Sequence, residues 1–250
     1  MFNGKKIVVV MPAYNAARTL LKTYEETLAN QIVDLIIIVD DASQDATTDI
    51  AKSLKGNIIV HRHDQNKGYG GNQKTCYKIA LEKGADVIIM VHPDYQYTPK
   101  LIPAMATMIT SGLYDCVLGS RILGGGALSG GMPLWKYIPN RFLTFLENIF
   151  LNAKLSEYHT GYRAFSRKLL QTLPLEQNSD DFLFDNQILS QAVWFHLPIG
   201  EISCSTSYHL EASSVNFSTS LKYGFGCLAT AITFRLAKWN VIQSRLFPPR

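Results

Sequence analysis

The chain has 250 residues, of which 47% are hydrophobic and 18% are charged, a composition typical of a globular protein that buries a core. Its formal net charge of +4 is too small to indicate nucleic-acid binding, although it suits an anionic substrate or an anionic membrane surface. No apolar stretch reaches the roughly 18 residues of a membrane-spanning helix, and residues 1–15 lack signal-peptide features. The four cysteines form no CxxC pair, so we expect free thiols in the reducing cytoplasm.

Short apolar runs rich in Val and Ile alternate with amphipathic segments through the first half of the chain. The runs predict strands, because each is β-branched and ends at a polar or turn residue. Strands are predicted at 6–12, 35–41, 57–63, 86–91 and 114–121, and helices at 15–31, 43–56, 70–84 and 98–112. Asn15 and Thr98 are expected N-caps. Continuous apolar strands between helices predict an α/β fold, a Rossmann-like sandwich with a mostly parallel central sheet and helices on both faces.

The second half is less regular. Residues 122–140 are rich in glycine and show little periodicity, which predicts a mobile loop. A helix is predicted at 141–155, a late strand in "PIGEISCSTSY", and a final apolar helix with basic flanks at 221–239. We therefore expect a main domain over 1–220 and a helical tail over 221–250. The tail helix could pack on the core, on a second subunit of a homo-oligomer, or at a membrane interface.

Polar residues follow the predicted strands, at the edge where parallel sheets bind ligands. Asp40 ends the second strand, and its carboxylate suits the hydroxyls of a ribose or the N–H edge of a base. Helix capping is the alternative, and it is favoured for Ser43. The segment "NKGYGGNQ" places Lys67 and backbone N–H groups at a helix start, which is either an anion site or a glycine-rich turn.

His92, Asp94 and Gln96 alternate after the fourth strand. Residues two apart face the same side of an extended chain, so these side chains could present one imidazole and two oxygens to a cation. Such a set favours Mg²⁺ or Mn²⁺, and the imidazole shifts the preference toward Mn²⁺. A metal there would neutralise a diphosphate leaving group. A capped turn is the alternative.

Six motifs, in this order, resemble the family 2 glycosyltransferases of the GT-A fold, in particular the branch of dolichyl- and polyprenyl-phosphate sugar transferases. They are "VVVMPAYNAARTL", "IIIVDDASQDAT", "NKGYGGNQ", "VIIMVHPDYQYTP", "VLGSR" and "YHTGYRAFSR". The resemblance implies inverting transfer of a sugar from a UDP- or GDP-sugar donor to a polyprenyl phosphate or glycan acceptor, with Mn²⁺ or Mg²⁺ assisting. It also implies a role in cell-envelope polysaccharide synthesis, in the cytoplasm or on the inner face of the membrane.

The resemblance assigns roles to residues at the predicted strand ends. The implied donor-binding residues, from the loop on the donor base to the metal motif, are Pro12, Ala13, Tyr14, Asn15, Asp40, Lys67, Gly68 and Asp94. The implied metal ligands are His92, Asp94 and Gln96. His92 departs from the Asp that usually opens this motif. A neutral His still binds metals, but the lost negative charge weakens Mg²⁺ relative to Mn²⁺.

Basic residues occupy the positions where this branch keeps phosphate-binding groups. Arg121 and Arg163 match them, and the planar fork of Arg suits phosphate oxygens. Lys136 and Arg141, in or after the glycine-rich segment, are further candidates. A surface charge or a structural ion pair is the alternative for each, although a phosphate role is favoured for Arg121 at its strand end.

A sugar-hydroxyl acceptor would need a general base, whereas a polyprenyl phosphate is already anionic. Glu157 and Asp185 are the main candidate bases, and Asp180 and Asp181 are weaker ones. His159 is at least as readily structural as catalytic. The sequence leaves the choice of acceptor open.

Two other functions remain. A non-catalytic nucleotide-sugar-binding module would treat His92 as the mark of a lost metal site, although the retained Asp40, Asp94, Gln96 and Arg121 disfavour it. A nucleotidyltransferase is disfavoured because "PAYN" stands where that class carries a basic, glycine-rich signature. A Rossmann dehydrogenase is excluded, since no GxGxxG follows the first strand.

Overall fold

The computed structural model describes residues 1–206 and 217–249, and in these residues one seven-stranded sheet is flanked by nine α-helices. The strands are β1 (Ile7–Ala13), β2 (Leu35–Asp40), β3 (Ile58–Arg62), β4 (Val87–Met90), β5 (Cys116–Ser120), β6 (Arg163–Ser166) and β7 (Ile199–Ser203). The helices are α1 (Leu20–Leu28), α2 (Thr47–Ser53), α3 (Gly68–Glu82), α4 (Ile102–Thr110), α5 (Gly126–Ser129), α6 (Leu134–Leu151), α7 (Arg167–Thr172), α8 (Phe184–Trp194) and α9 (Phe217–Lys238).

The strands lie in the order β3-β2-β1-β4-β6-β5-β7, and all neighbours are parallel except where β6 is involved. β6 runs antiparallel to both β4 and β5. The predicted α/β sandwich with a mostly parallel sheet is confirmed. The four-residue β6 was not predicted, because so short a segment shows no usable periodicity. Its reversal brings the amino end of β6 to the edge where β4 and β5 end.

Each face of the sheet carries its own hydrophobic core. Val8 and Val10 of β1 join the core under α3, α8 and α9, whereas Ile7, Val9 and Met11 join the core under α1, α2 and α4. Successive strand residues point to opposite faces, so a strand covered on both sides needs apolar residues throughout. This is the physical origin of the continuous apolar runs in the sequence.

The starts of α1 and α2 differ from the prediction, and α2 begins at Thr47 with Ala46 at its N-cap instead of near Ser43. Asn15 is not an N-cap: α1 begins at Leu20, and Asn15 has φ of 50° in the turn after β1. Its backbone N–H donates to Ser43 Oγ over 2.8 Å and its side-chain oxygen accepts from Gln44 N over 2.9 Å. Thr98 does cap a helix, since its hydroxyl accepts from Lys100 N in the 3₁₀ turn Pro99–Leu101. The turn after β1 is therefore fastened to the turn after β2.

The segment predicted as a mobile loop is largely helical. Both α5 and the start of α6 lie within 122–140, and α6 runs from Leu134 to Leu151 instead of over 141–155. Pro139 lies inside α6. The prediction was wrong because glycine and proline usually mark loops, and here they conceal apolar residues at helical spacing.

The last helix packs on the domain through one face. α9 contacts α6 and α8, and its Phe234 lies 5.4 Å, ring centre to ring centre, from Trp194 of α8. Beyond α9, Trp194 Nε1 donates to the carbonyl oxygen of Pro248 over 2.9 Å. Residues 207 and 208 of the predicted late strand lie outside the described residues. Among those described, no helix combines the length and apolarity that a bilayer crossing requires.

Candidate active site

A cavity of about 460 Å³ opens at the sheet edge where β4 and β5 end and β6 begins. One wall is polar and includes His92, Asp94 and Gln96, from the segment after β4, and Arg121, directly after β5. A second wall comes from α6 and α9 and is mainly apolar, with Trp135, Phe142 and Leu143 from the first helix and Leu221, Phe225 and Leu228 from the second. The cavity thus joins charged groups to a hydrophobic surface.

The three residues of the expected metal motif share the cavity, although not for the reason given by the sequence. β4 ends at Met90, and residues 93–96 form a turn and a bend in which Tyr95 has φ of 55°. The alternation expected of a strand therefore does not apply. Asp94 Oδ1 accepts a hydrogen bond from Gln96 N over 3.0 Å, as in the capped-turn alternative.

The donor set limits how a metal could be held. No three His, Cys, Asp or Glu side chains converge as a metal site anywhere in residues 1–206 and 217–249. At the cavity the protein offers His92, Asp94 and the amide oxygen of Gln96. A hard cation such as Mg²⁺ commonly takes one or two carboxylates and completes its shell with phosphate oxygens and water. The residues present fit a metal that shares its shell with a diphosphate.

His92 belongs to a hydrogen-bonded chain with Tyr69 and Asp185. The Tyr69 hydroxyl donates to Asp185 Oδ2 over 2.7 Å and lies 2.9 Å from His92 Nε2. Gln73 Nε2 donates to the other oxygen of Asp185 over 3.0 Å. Asp185 lines the cavity, as a catalytic role requires, but both its oxygens already accept hydrogen bonds. Sequence reasoning missed Tyr69, because nothing in "NKGYGGNQ" indicates that its tyrosine contacts residues 92 and 185.

Glu157, a predicted general base, is fully buried and does not line the cavity. Its carboxylate accepts from Arg121 N and Arg121 Nε, each over 2.9 Å, and from Asn140 Nδ2 over 2.9 Å. Burial alone would raise the pKa of Glu157, but the charge and hydrogen bonds of Arg121 outweigh burial and lower it. In this arrangement Glu157 holds Arg121 in the cavity wall.

Arg163, predicted to bind phosphate, is also fully buried and absent from the cavity wall. Its Nε donates to the carbonyl oxygen of Thr160 over 2.8 Å and its Nη2 to that of Tyr158 over 2.9 Å, while Nη1 donates to the carbonyl oxygen of Asp185. The guanidinium therefore ties the turn before β6 to the start of α8.

The weaker base candidates lie outside the cavity as well. Lys74 Nζ donates to Asp180 Oδ1 over 2.8 Å, and Asp181 Oδ1 accepts from Leu183 N over 2.8 Å. The carbonyl oxygen of Asp180 accepts from the N–H groups of Gly70 and Gly71. The expected anion site at the start of α3 is thereby partly occupied by the chain itself.

The other implied donor residues lie at neighbouring strand ends, outside the cavity wall. Asp40 is fully buried, and its oxygens accept from the hydroxyls of Ser43 and Thr48. Pro12 and Ala13 are buried at the end of β1, whereas the side chain of Tyr14 is 52% exposed. Lys67 and Gly68 begin α3. Since β1 is paired with β4, this row of residues continues the polar wall of the cavity along the same edge of the sheet.

A second polar cluster borders the cavity, which its members His159 and Tyr223 also line. Glu147 of α6 is fully buried, and it accepts a hydrogen bond from Asn186 Nδ2. Its Oε2 lies 3.3 Å from His159 Nε2, and His159 Nδ1 lies 3.0 Å from the Tyr223 hydroxyl of α9. Burial raises the pKa of Glu147 to about 8 and lowers that of His159 to about 4. Both shifts favour the neutral forms over an ion pair, and neither Glu147 Oε2 nor His159 Nε2 has a hydrogen-bond partner among the described residues.

Solved structures define the class of the fold. Glucosyl-3-phosphoglycerate synthase from Mycobacterium tuberculosis, in a complex with Mn²⁺, UDP-glucose and phosphoglyceric acid, superposes with a TM-score of 0.69 over 93% of this chain and 80% of that one, at 18% identity. A complex of that enzyme with Mg²⁺ and UDP gives a TM-score of 0.69 over 92% and 79% of the two chains. The fold is the GT-A fold of glycosyltransferases.

The chain belongs to glycosyl transferase family 2, whose model matches residues 8–173, and it is a glycosyltransferase. The UDP-N-acetylglucosamine–dolichyl-phosphate N-acetylglucosaminyltransferase of Methanococcus voltae is 30% identical over 249 residues, which cover 94% of this chain and 98% of that relative. The undecaprenyl-phosphate mannosyltransferase of Micrococcus luteus is 25% identical, over 68% and 70% of the two chains. The family resemblance drawn from the six motifs is confirmed.

Proposed function

We propose that the protein transfers a sugar from a nucleotide-diphosphate sugar to a polyprenyl phosphate, with inversion at the anomeric carbon and with help from a divalent metal. The main support is the two-sided cavity. Its polar wall suits phosphate groups, and its apolar wall suits a lipid. The names of the two relatives, which act on dolichyl phosphate and undecaprenyl phosphate, support the same acceptor class.

The apolar wall favours a polyprenyl phosphate over a glycan. A glycan presents hydroxyl groups and would be matched by polar partners, whereas Trp135, Phe142 and Phe225 offer aromatic surface. Arg121 and Lys136 also line the cavity, so two cations stand where an acceptor phosphate would lie. Burial, and to a lesser degree the charge of Arg121, lowers the pKa of Lys136. An anionic acceptor between these two side chains would relieve their mutual repulsion.

Different residues would bind the sugar donor and the acceptor. Tyr14 offers an exposed ring to the donor base, and Asp94 and His92 would hold a divalent metal that neutralises the charge of the leaving diphosphate. Arg121 would hold the acceptor phosphate, one of whose oxygens attacks the anomeric carbon. The new C–O bond forms as the bond to the nucleoside diphosphate breaks. The attacking oxygen is already anionic, so no strong general base is needed, which agrees with the hydrogen bonds that Asp185 already accepts from Tyr69 and Gln73.

A peripheral contact with the membrane would bring the protein to such an acceptor. Apolar residues 134, 135, 138, 142, 145 and 149 of α6 are exposed, and so are residues 221, 225 and 232 of α9. The basic residues on these two helices are Lys136, Arg141, Lys222, Arg235 and Lys238, and the one acidic residue, Glu147, is buried. An apolar stripe bordered by cations suits the surface of an anionic bilayer. We propose that α6 and α9 lie against the bilayer.

The test is a transfer assay with radiolabelled UDP-N-acetylglucosamine, UDP-glucose and GDP-mannose, each offered to dolichyl phosphate and undecaprenyl phosphate with Mn²⁺ or with EDTA. We expect label in the lipid extract with one donor and a large loss of label with EDTA. Unphosphorylated polyprenol is the matched control and should accept nothing. Transfer to a glycan in the absence of any lipid phosphate product would overturn the proposed acceptor.

A further inference from the structure

We propose that Tyr69 and Asp185 fix the tautomer of His92, so that its Nε2 carries the ring proton and its Nδ1 carries the lone pair that binds a cation. Both would then be positioning residues for the proposed metal motif. The role of Nδ1 rests on the proposed function, whereas the tautomer itself follows from the hydrogen-bonded chain alone. The proposal concerns the one residue at which this chain departs from the motif of its family.

Two groups face one carboxylate oxygen of Asp185. Gln73 Nε2 donates to Asp185 Oδ1, and Arg163 Nη1 lies 3.8 Å from the same oxygen. The orientation of the Gln73 amide is set independently, because the Tyr77 hydroxyl donates to Gln73 Oε1 over 2.7 Å. Asp185 thus faces one amide donor and one cation, the surroundings of a carboxylate that accepts hydrogen bonds and donates none.

The Tyr69 hydroxyl lies between Asp185 and His92. Tyr69 has a single hydroxyl proton to donate. That proton points to Asp185 Oδ2 over 2.7 Å. The contact of 2.9 Å between the same hydroxyl and His92 Nε2 therefore needs a proton from the imidazole. A neutral His92 then has no proton on Nδ1.

Packing also holds the imidazole ring of His92 in place. The Tyr69 ring lies 5.4 Å from the His92 ring at an interplanar angle of 22°, and Phe182 packs 4.7 Å from the ring of Tyr69. From another direction, a Cβ atom at Gly161 would lie 2.9 Å from both His92 Cδ2 and His92 Nε2. Only glycine leaves room for the ring in this place. The same edge of His92 is thus held by a hydrogen bond and by backbone contact.

Histidines that bind metals usually donate their second N–H to a carboxylate, a carbonyl or a similar acceptor, which fixes the ring orientation. Here a tyrosine relays that interaction to the carboxylate of Asp185. Loss of such an outer partner typically lowers metal affinity by about 10- to 100-fold. We therefore expect Tyr69→Phe to weaken Mn²⁺ binding in the presence of UDP by that factor.

Asp185→Asn is the more specific test, because it should reverse the direction of both hydrogen bonds that join residue 185, Tyr69 and His92. The oxygen of the introduced amide would stay with Gln73 Nε2, so its NH₂ group would donate to the Tyr69 oxygen. The Tyr69 proton would then turn to His92 Nε2, and the ring proton would move to Nδ1. Long-range ¹H–¹⁵N correlation of ¹⁵N-histidine-labelled protein, without metal or donor, reads the tautomer directly, and His92→Gln assigns the signals.

Besides the His92→Gln protein used for assignment, four proteins are compared: the unmodified chain, Tyr69→Phe, Asp185→Asn and the control Tyr162→Phe. The hydroxyl of Tyr162 has no hydrogen-bond partner among the described residues, so its removal should change neither the tautomer nor Mn²⁺ affinity. The proposal holds if the unmodified chain has its proton on Nε2, Asp185→Asn moves it to Nδ1, and Mn²⁺ binding falls in both variants. A proton on Nδ1 in the unmodified chain, or an unchanged tautomer in a folded Asp185→Asn protein, overturns it. Because the NMR readout needs no turnover, it is independent of whether the acceptor proposal fails.

Discussion

Arg121 stands in the cavity wall because a buried carboxylate holds it there. Glu157 accepts hydrogen bonds from the backbone and the side chain of Arg121, and Asn140 adds one more. The Nη2 atom of Arg121 also donates to the carbonyl oxygen of His159 over 2.7 Å. A cation fixed in this way is already oriented for the phosphate that we propose it binds, which saves the entropy of ordering a long side chain.

Glu157→Gln should destabilise the fold, because it leaves the buried guanidinium of Arg121 without its charged partner. We expect a loss of about 3–5 kcal/mol in the free energy of unfolding at pH 7, measured by urea denaturation. The lowered pKa of Glu157 means that its stabilisation is complete above the unfolded value near 4.5 and is lost as the pH falls through the folded value. Acid should therefore narrow the gap between variant and parent. Glu176→Gln, at an exposed site, should show neither effect, and an equal loss in both variants would contradict this account.

Asp94→Asn should remove sugar transfer while leaving the fold intact. The amide is close in shape to the carboxylate but carries no charge for a metal, and transition-state charge stabilisation by a metal amounts to several kcal/mol. We expect the transfer rate to fall by at least about 100-fold and metal-dependent UDP binding to weaken in calorimetric titration. Asp64→Asn, which is exposed and outside the cavity, is the matched control. A folded, fully active Asp94→Asn protein would remove the metal role.

At the residue scale, the sequence predicts the polar residues that follow strands and line the cavity. It does not predict the residues that hold them in position. His92, Asp94, Gln96 and Arg121 all line the cavity, because polar residues after buried strands have few other places to lie. The partnership of Tyr69 with residues 92 and 185 depends on three distant segments meeting, which local pattern does not encode. For the same reason nothing in the sequence indicates that Glu157 and Arg163 are fully buried.

At the element scale, α6 links the apolar wall to the polar interior. One face is exposed and apolar, and the other carries Glu147 into a cluster with His159 and Asn186. Glu147 is hydrogen-bonded to Asn186 of α8 and contacts His159, whose Nδ1 lies 3.0 Å from the Tyr223 hydroxyl of α9, so one buried polar cluster connects the three helices. The helices that frame the cavity are thus held in register by buried polar contacts as well as by packing.

Glu147→Gln should flatten the dependence of stability on pH. The pKa of Glu147 is raised to about 8 in the fold, so the group stabilises the protein fully below its unfolded value near 4.5. That contribution is lost as the pH rises toward 8, at up to about 1.4 kcal/mol per pH unit. Unfolding in urea between about pH 5 and pH 8 should therefore show a decline in the parent and a weaker decline in Glu147→Gln. Glu25→Gln, on the exposed side of α1, should follow the parent, and identical slopes in all three proteins would refute the burial of an acid at this site.

Secondary-structure elements were predictable where hydrophobic pattern and residue type agreed. They were not predictable where helical spacing was combined with glycine and proline. The strands β1 to β5 have continuous apolar runs, and each prediction was right to within a few residues. α6 has apolar residues at 135, 138, 142, 145 and 149, the three-and-four spacing of a helix, but Gly130, Gly131, Pro133 and Pro139 suggest a loop. Because its apolar stripe faces outward, the usual association of a stripe with the core gave no help.

At the scale of the whole molecule, binding to anionic vesicles should depend on α6 and α9. Phe145 and Ile232 are exposed on these helices and do not line the cavity. Burial of such a side chain contributes about 1.5–3 kcal/mol, so Phe145→Ser and Ile232→Ser should each weaken vesicle flotation by roughly tenfold or more. High salt should weaken it further by screening the basic border.

The control for this prediction is Leu113→Ser, which removes an exposed apolar side chain from the turn after α4. It should float like the parent. Transfer to a short, water-soluble prenyl phosphate should be unchanged in all three variants, because none touches the cavity. A parent protein that elutes as a dimer and ignores vesicles would assign the apolar face to a second subunit instead.

The cavity is assembled from two stretches of chain, and the family model covers only one of them. That model ends at residue 173, whereas α9, which supplies half of the apolar wall, begins at Phe217. On the proposed function, α9 contributes to lipid fit from outside the segment that carries the expected donor and metal residues. An exchange of α9 between two relatives should then alter the preferred lipid and leave the preferred nucleotide unchanged.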